Sequence, residues 1–233
     1  MNIFYVVKYK KSQKGSIILK FKGVIFDLDG TLANTIVDLR NAVCSGIEKL
    51  GFPLPSLEEY PSFVGEGTDK MITYALKQNA TKENIAFVKK CYLKFYAEHF
   101  ADTTYAYEGM KELVLKLKEQ GVKLAVVSNK VDHMTVALVN KLFPNCFSVI
   151  FGQKDGLPTK PDPTLTLLAV EKLGLNKEDC AFVGDSGSDA LTGINAGLYP
   201  VGVLWGYRDK KDLIEKGAKA LANTVNELEN ILL

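Results

Sequence analysis

The stretch VIFDLDGT, residues 24–31, joins a short β-branched run to two acids and a Gly-Thr pair. Its first five residues, Val24 to Leu28, read as a buried strand, and the Gly-Thr pair reads as the turn that ends it. Downstream, the same kind of run recurs at Lys123 to Ser128, Val149 to Gly152, Cys180 to Asp185 and Pro200 to Leu204, with a sixth short strand expected near Ala218 to Ala222. Amphipathic segments lie between them: Gly109 to Gln120 closing at Gly121, Asp132 to Phe143 stopping before Pro144, and Pro163 to Leu173 closing at Gly174. A last helix opens at Thr224. This alternation predicts an α/β fold, a parallel sheet flanked by helices.

Almost a hundred residues separate the first strand from the second, far more than one crossover helix requires. Thr35 to Leu50, Thr68 to Gln78 and Thr81 to Phe100 have helical periodicity, interrupted at Phe52 to Gly67 by a Pro- and Gly-containing break. We therefore expect an inserted α-helical cap at residues 35–103, a core made of residues 21–34 and 104–233, and a Lys-rich extension at residues 1–20.

The 233 residues are 47% hydrophobic and 24% charged, a globular composition that excludes disorder and a disulfide-stapled mini-protein. No apolar run approaches the ~20 residues of a membrane-spanning helix. In MNIFYVVKYKK the lysines follow the apolar stretch, the reverse of a secretory signal, so a cytoplasmic protein without a membrane partner is expected. The net charge of +2 hides an asymmetry: residues 1–22 hold six lysines and no acid, which leaves 23 Lys and Arg against 27 Asp and Glu, or −4, from Gly23 to Leu233. A mildly acidic body argues against nucleic acid as a partner. The leader is open to reading as a binding arm, an edge strand, a tail or an upstream start. Cys44, Cys91, Cys146 and Cys180 form no CxxC pair and read as reduced thiols. The sequence is compatible with a monomer or a homodimer.

Acids gather at strand ends. Asp27 and Asp29 close the first strand, Asp185 closes the fourth, and Asp189 follows four residues later. Ligands of open parallel sheets sit beyond the carboxyl ends of the strands, so these acids can meet although the chain separates them widely. A single strand-end Asp is commonly a helix cap; the set as a whole points to a shared task. Two like charges ~4 Å apart repel by ~4 kcal/mol at an effective dielectric of ~20. A divalent cation with oxygen ligands relieves this, and Mg²⁺, which favours carboxylates together with substrate phosphate, suits the set. Groups fit for phosphate accompany the acids: Ser128 and Asn129 at the second strand's end, Lys160 between two prolines, and Gly30 and Thr31, whose backbone N–H groups are expected to form an anion nest.

In order and spacing, DLDGTL at 27–32, Ser128 after its strand, Lys160 in KPDP and GDSGSD at 184–189 resemble the four motifs of the haloacid dehalogenase superfamily. YEGM at 107–110, VGEG at 64–67 and GVLWGYR at 202–208 are most similar to its phosphoglycolate phosphatase-like branch. The resemblance covers about Gly23 to Leu233. It implies a Rossmann-like core with a helical cap and hydrolysis of a small phosphate monoester. Asp27 would be the nucleophile that forms an aspartyl phosphate. Asp29 would be the general acid and then the base. Mg²⁺ would be held by the side chains of Asp27 and Asp185 and the main-chain carbonyl of Asp29, with Asp189 either a further ligand or one layer behind, while Ser128 and Lys160 would bind phosphoryl oxygens. The acid at Asp29 matches phosphatases and mutases and not the carbon–halogen enzymes. A β-phosphoglucomutase-like phosphomutase is the first alternative, but Leu39 stands where that family has a cap histidine. A non-catalytic phosphometabolite-binding regulator is the second.

A small phosphorylated metabolite is therefore the expected partner, its identity set by the cap. Within FVGEGTDK, residues 63–70, Glu66 and Lys70 are expected to touch substrate. Lys70, Lys130 and Arg208 are candidate cations for an anionic leaving group. Asn34 stands where many relatives have Asp, on the hinge side. His99 and His133 lack metal-ligand spacing, and the run Tyr92, Phe95, Tyr96 and Phe100 has the spacing of cap packing.

Overall fold

The computed structural model describes residues 20–233, so the extension expected at 1–20 lies outside it apart from Lys20. Strands β1 (Gly23–Phe26) and β2 (Ala33–Asn34) precede helices α1 (Ile36–Ile47), α2 (Thr68–Leu76) and α3 (Lys82–His99). Next come β3 (Tyr105–Ala106), α4 (Met110–Glu119), β4 (Lys123–Val131), α5 (Asp132–Leu142), β5 (Val149–Gln153) and α6 (Thr164–Leu173). The chain ends with β6 (Cys180–Gly184), α7 (Gly187–Ala196), β7 (Tyr199–Val203), α8 (Lys210–Glu215), β8 (Ala220–Ala222) and α9 (Val225–Leu232).

Six strands form one parallel sheet in the order β5-β4-β1-β6-β7-β8. Alternation along the central strands supplies both faces. Val24, Phe26, Leu124, Val126, Ala181 and Val183 pack with apolar residues of α4 and α9. Ile25, Ala125, Val127 and Phe182 pack with Leu165, Ala169 and Leu173 of α6 on the other side. The strand order reverses beside β1, and Phe26 is in register with Val126 and Val183. Residues just past those three positions therefore emerge together at one edge of the sheet, where a doubly wound fold places its ligand.

The long insertion is helical, with its own apolar centre of Leu39, Val43, Ile47, Tyr60, Ile72, Val88, Tyr92 and Tyr96. Helices α1 and α3 approach closely at Gly46, where a Cβ would lie 2.9 Å from the Val88 Cα. The break at Phe52 to Gly67 holds one 3₁₀ turn, Tyr60–Phe63, and the Tyr60 hydroxyl donates to the Leu39 carbonyl at 3.2 Å. Tyr92 and Tyr96 are buried in this centre, as their spacing predicts. Among the described residues no helix is long and apolar enough to cross a membrane.

Several boundaries differ from expectation. The first strand stops at Phe26 because the Leu28 carbonyl accepts from the N–H groups of Thr31, Leu32 and Ala33, turning the chain. β4 runs on to Val131 through a register shift against β5. α2 stops at Leu76, two residues early, where Lys77 adopts φ 51°. Helices α7 and α8 and the antiparallel ribbon β2–β3, which pairs Ala33 with Ala106 and Asn34 with Tyr105, are additions to the sequence reading.

Candidate active site

Asp27 follows β1 directly and its backbone N–H donates to the Val183 carbonyl, which ties the strand end to β6. Asp185 follows β6, and Asp189 lies in the first turn of α7. A reciprocal capping box fixes Asp189: its Oδ2 accepts from Ser186 N at 3.0 Å and Ser186 Oγ at 2.6 Å, and its own N–H donates to Ser186 Oγ. Oxygens of Asp27, Asp185 and Asp189 all fall within 4.8 Å of one another, and all three residues are buried.

Lys160 reaches this cluster from the loop before α6. Its ammonium donates to Asp27 Oδ1 and Asp189 Oδ1, each at 2.6 Å. Asn129 aims it: the Lys160 N–H donates to Asn129 Oδ1 at 2.8 Å, and Asn129 Nδ2 donates to the Lys160 carbonyl at 3.2 Å and to the Gly65 carbonyl of the insertion at 2.9 Å. Ser128 is buried, and its Oγ accepts from the Lys130 N–H at 3.2 Å.

Asp29 stands apart from the cluster in its partners. Its Oδ1 accepts from Thr35 Oγ1 at 2.7 Å, and the Lys130 ammonium donates to its two oxygens at 3.1 and 3.3 Å. Two carboxylates separated by one residue thus face different surroundings, and the difference suits a division between nucleophile and proton carrier.

The electrostatics call for a counter-charge. Burial pushes the Asp27 carboxyl up to about 7, with Asp189 and Asp29 repelling it further against the pull of Lys160. Burial, then Asp189 and Asp27, push Asp185 well above the usual carboxylate range. Lys160 is held charged in spite of burial by Asp189 and Asp27. Four enclosed carboxylates (Asp27, Asp29, Asp185 and Asp189) meet two ammonium groups, Lys130 and Lys160, so two negative charges are left over when all are ionised. The surplus equals one divalent cation, and the donors are hard oxygens of the kind such ions take.

The anion nest expected at Gly30 and Thr31 is not built. The Gly30 N–H donates to the Ala33 carbonyl at 2.9 Å and the Thr31 N–H to Leu28 at 3.3 Å, so both serve the turn that re-aims the chain after β1. Gly30 serves by its size instead: at φ 87° a Cβ would lie 2.4 Å from Asp185 Oδ2. The Thr31 hydroxyl points to Asp185 Oδ1 at 3.4 Å.

A cavity of about 30 Å³ adjoins Asp27 and Asp29, with Ser128, Asn129 and Lys130 on the core side and Leu39, Val64, Gly65, Gly67, Thr68, Met71 and Tyr92 on the insertion side. That is room for roughly one water. The loop at 63–70 does meet the site, through Gly65, Gly67 and Thr68. Glu66 and Lys70 turn outward, paired at 2.6 Å, on a wider cleft of about 780 Å³ that Lys160 and Arg208 also line. Arg208 Nη2 donates to the Val64 carbonyl at 3.0 Å. Sequence reasoning missed Thr35 and Tyr207, which hold Asp29 and Asp185; the quoted run GVLWGYR was the signal for Tyr207, and Thr35 had none.

A family model described as haloacid dehalogenase-like hydrolase matches residues 24–203. The phosphoglycolate phosphatase of Chromobacterium violaceum is 33% identical over 91% of this chain and 96% of its own. That of Neisseria meningitidis is 35% identical over 81% of this chain and 82% of its own. A solved structure from Lactobacillus delbrueckii subsp. bulgaricus superposes with a TM-score of 0.87 at 32% identity, covering 92% of this chain and 99% of the other.

Proposed function

The chain belongs to the haloacid dehalogenase-like hydrolases and is a phosphatase, and from that premise we propose that it hydrolyses 2-phosphoglycolate, or a phosphate monoester of similar size, through an aspartyl phosphate on Asp27 with Mg²⁺ as cofactor. The observation that carries this reading is the Lys160 ammonium bridging Asp27 and Asp189 at 2.6 Å each, beside Asp185 at the ends of the sheet.

An oxygen of Asp27 attacks phosphorus, and the bond from phosphorus to the ester oxygen breaks. Asp29 gives its proton to the departing alkoxide. Asp29, now a carboxylate, takes a proton from water; the water oxygen bonds to phosphorus and the bond to Asp27 breaks, releasing inorganic phosphate. Lys160 and Ser128 steady the phosphoryl oxygens while charge moves across them, and Asn129 keeps Lys160 in place. Thr35 and Lys130 orient the Asp29 carboxyl. Asp27, Asp185, Asp189 and the Asp29 carbonyl would hold Mg²⁺, which supplies charge neutralisation for carboxylates and phosphoryl group alike. The insertion supplies the walls around the leaving group, and with so little space enclosed it must move aside to admit one. Core at 21–34 and 104–233 with a cap at 35–103 is the division that suits this motion. Leu39 puts an apolar side chain on the cavity where the mutase alternative needs a histidine, which favours transfer to water.

The test is phosphate release from a panel of monoesters and pyrophosphate, with Mg²⁺ and with EDTA, by wild type and Asp27→Asn. Highest turnover on 2-phosphoglycolate, lost with EDTA and lost in the variant, is expected. Unchanged release by Asp27→Asn removes the assignment of the nucleophile.

A further inference from the structure

A leaving group such as glycolate carries its own negative charge, and three cations stand near enough to the site to be weighed. Lys70 is exposed and paired with Glu66 at 2.6 Å. Arg208 is committed to the Val64 carbonyl. Lys130 differs from both. Its side chain is 2% exposed, it lines the inner cavity, and its ammonium sits between the Asp29 carboxylate at 3.1 Å and the face of the Tyr96 ring, 4.5 Å from the centroid. An ammonium has three N–H donors; with one shared between the two Asp29 oxygens, at 3.1 and 3.3 Å, and one directed at the Tyr96 ring, a third is left. The surrounding walls include Leu39, Val64 and Met71, which offer an anion nothing. An anion entering there needs a cation, and Lys130 is the one that faces it.

We propose that Lys130 determines substrate choice by receiving a carboxylate on the leaving group, so that the site selects phosphate esters of 2-hydroxy acids. This rests on the phosphatase reading of Asp27 and Asp29 above. The leaving oxygen must lie within hydrogen-bond reach of Asp29 to collect its proton, and Lys130 touches that same carboxyl. An anion bound to Lys130 and an oxygen bound to Asp29 are therefore about 3 Å from adjoining groups. A 2-hydroxy acid, with only two carbons between its oxygens, spans such a gap.

The experiment compares kcat/KM for 2-phosphoglycolate and for its amide, phosphoglycolamide, which has the same size without the charge. Wild type is expected to prefer the acid at least about tenfold, and Lys130→Met to erase the preference by lowering the acid's kcat/KM about 30- to 100-fold more than the amide's. Lys130→Gln, which keeps an N–H for Asp29, is expected to shift the ratio the same way. Each ratio is taken within one preparation, so loss of folded enzyme cancels. Equal losses on both substrates, or a wild type indifferent to the charge, overturn the assignment of Lys130 while leaving the phosphatase reading standing. A wild type that releases phosphate from other monoesters but not from 2-phosphoglycolate overturns the substrate and this inference together.

Discussion

The backbone N–H of Tyr207 donates to Asp185 Oδ2 at 2.6 Å, and the phenol oxygen of the same residue accepts from the Thr35 N–H at 2.8 Å. Thr35 in turn donates its hydroxyl to Asp29. One residue thus links an acid of the buried cluster to the start of the insertion and, through Thr35, to the proposed proton carrier.

The loop has no room for change at its preceding residue. A Cβ on Gly206 would lie 2.2 Å from Asp185 Cβ and 2.5 Å from the Gly30 carbonyl oxygen. Gly206→Ala is expected to displace Asp185, to weaken Mg²⁺ binding in calorimetry and to cut phosphate release by about 100-fold or more. Tyr207→Phe keeps the backbone donor and loses only the phenol; a milder fall, about tenfold, is expected.

Counter-charge governs stability at the acid cluster. Removal of divalent cation with EDTA is expected to lower the melting temperature relative to protein with excess Mg²⁺, by a margin worth about 2.7 kcal/mol when the ion is at ~100 times its Kd. Lys160→Met takes away one of the two ammonium groups and strands Asp27 and Asp189, at a cost of about 3–5 kcal/mol in metal-free buffer. Calorimetric scans of both proteins with and without Mg²⁺ check this; a variant as stable as wild type in EDTA would contradict the charge count.

Asp38 predicts acid sensitivity at the hinge. Its oxygens accept from Thr103 N, Thr103 Oγ1, Thr104 N and Thr104 Oγ1 at 2.6–3.2 Å, binding the first turn of α1 to the segment that leads into β3. Burial opposes its charge, yet these donors win and hold the carboxyl below its ordinary 3.8. A folded-state value below the unfolded one adds stability above pH ~4 that is lost as the pH falls through the folded value. Asp38→Asn is expected to be less stable than wild type at pH 7, by roughly 2 kcal/mol, and the gap to be narrower at pH 3, below the ordinary carboxylate value. Thermal melts at both pH values decide it.

Gly46→Ala gauges the contact between α1 and α3. Alanine favours a helix by about 1 kcal/mol over glycine, but its methyl would meet the Val88 backbone at 2.9 Å and Cys91 Cβ at 3.0 Å. Overpacking is expected to win, lowering stability by ~1–3 kcal/mol in urea unfolding.

Much of the site was legible because its residues have few uses in its setting. Asp27 and Asp185 lie where strands end, Asp189 in the first turn of the helix that follows, and Lys160 between prolines, so the topology brings them together. What escaped depends on the direction of a side chain or on a turn's own hydrogen bonds. Gly30 and Thr31 have the composition of an anion nest, yet their donors close the turn at Leu28 and Ala33. Glu66 and Lys70 sit in the right loop but on its outward side, while Thr68 faces in. Strands of two residues, such as Ala33–Asn34, are too short to show a period, and Thr35 looks like any threonine before a helix. The sheet was readable because its central strands, buried on both faces, are continuous apolar runs.

The chain leaves the sheet for its helical excursion and returns at a single place, where Ala33 and Asn34 pair with Tyr105 and Ala106. Departure and re-entry stand side by side, so the intervening stretch behaves as a cassette with adjacent splice points. On the function proposed above, a different module spliced in there would alter which metabolite is accepted without redrawing the sheet whose strand ends carry Asp27 and Asp185.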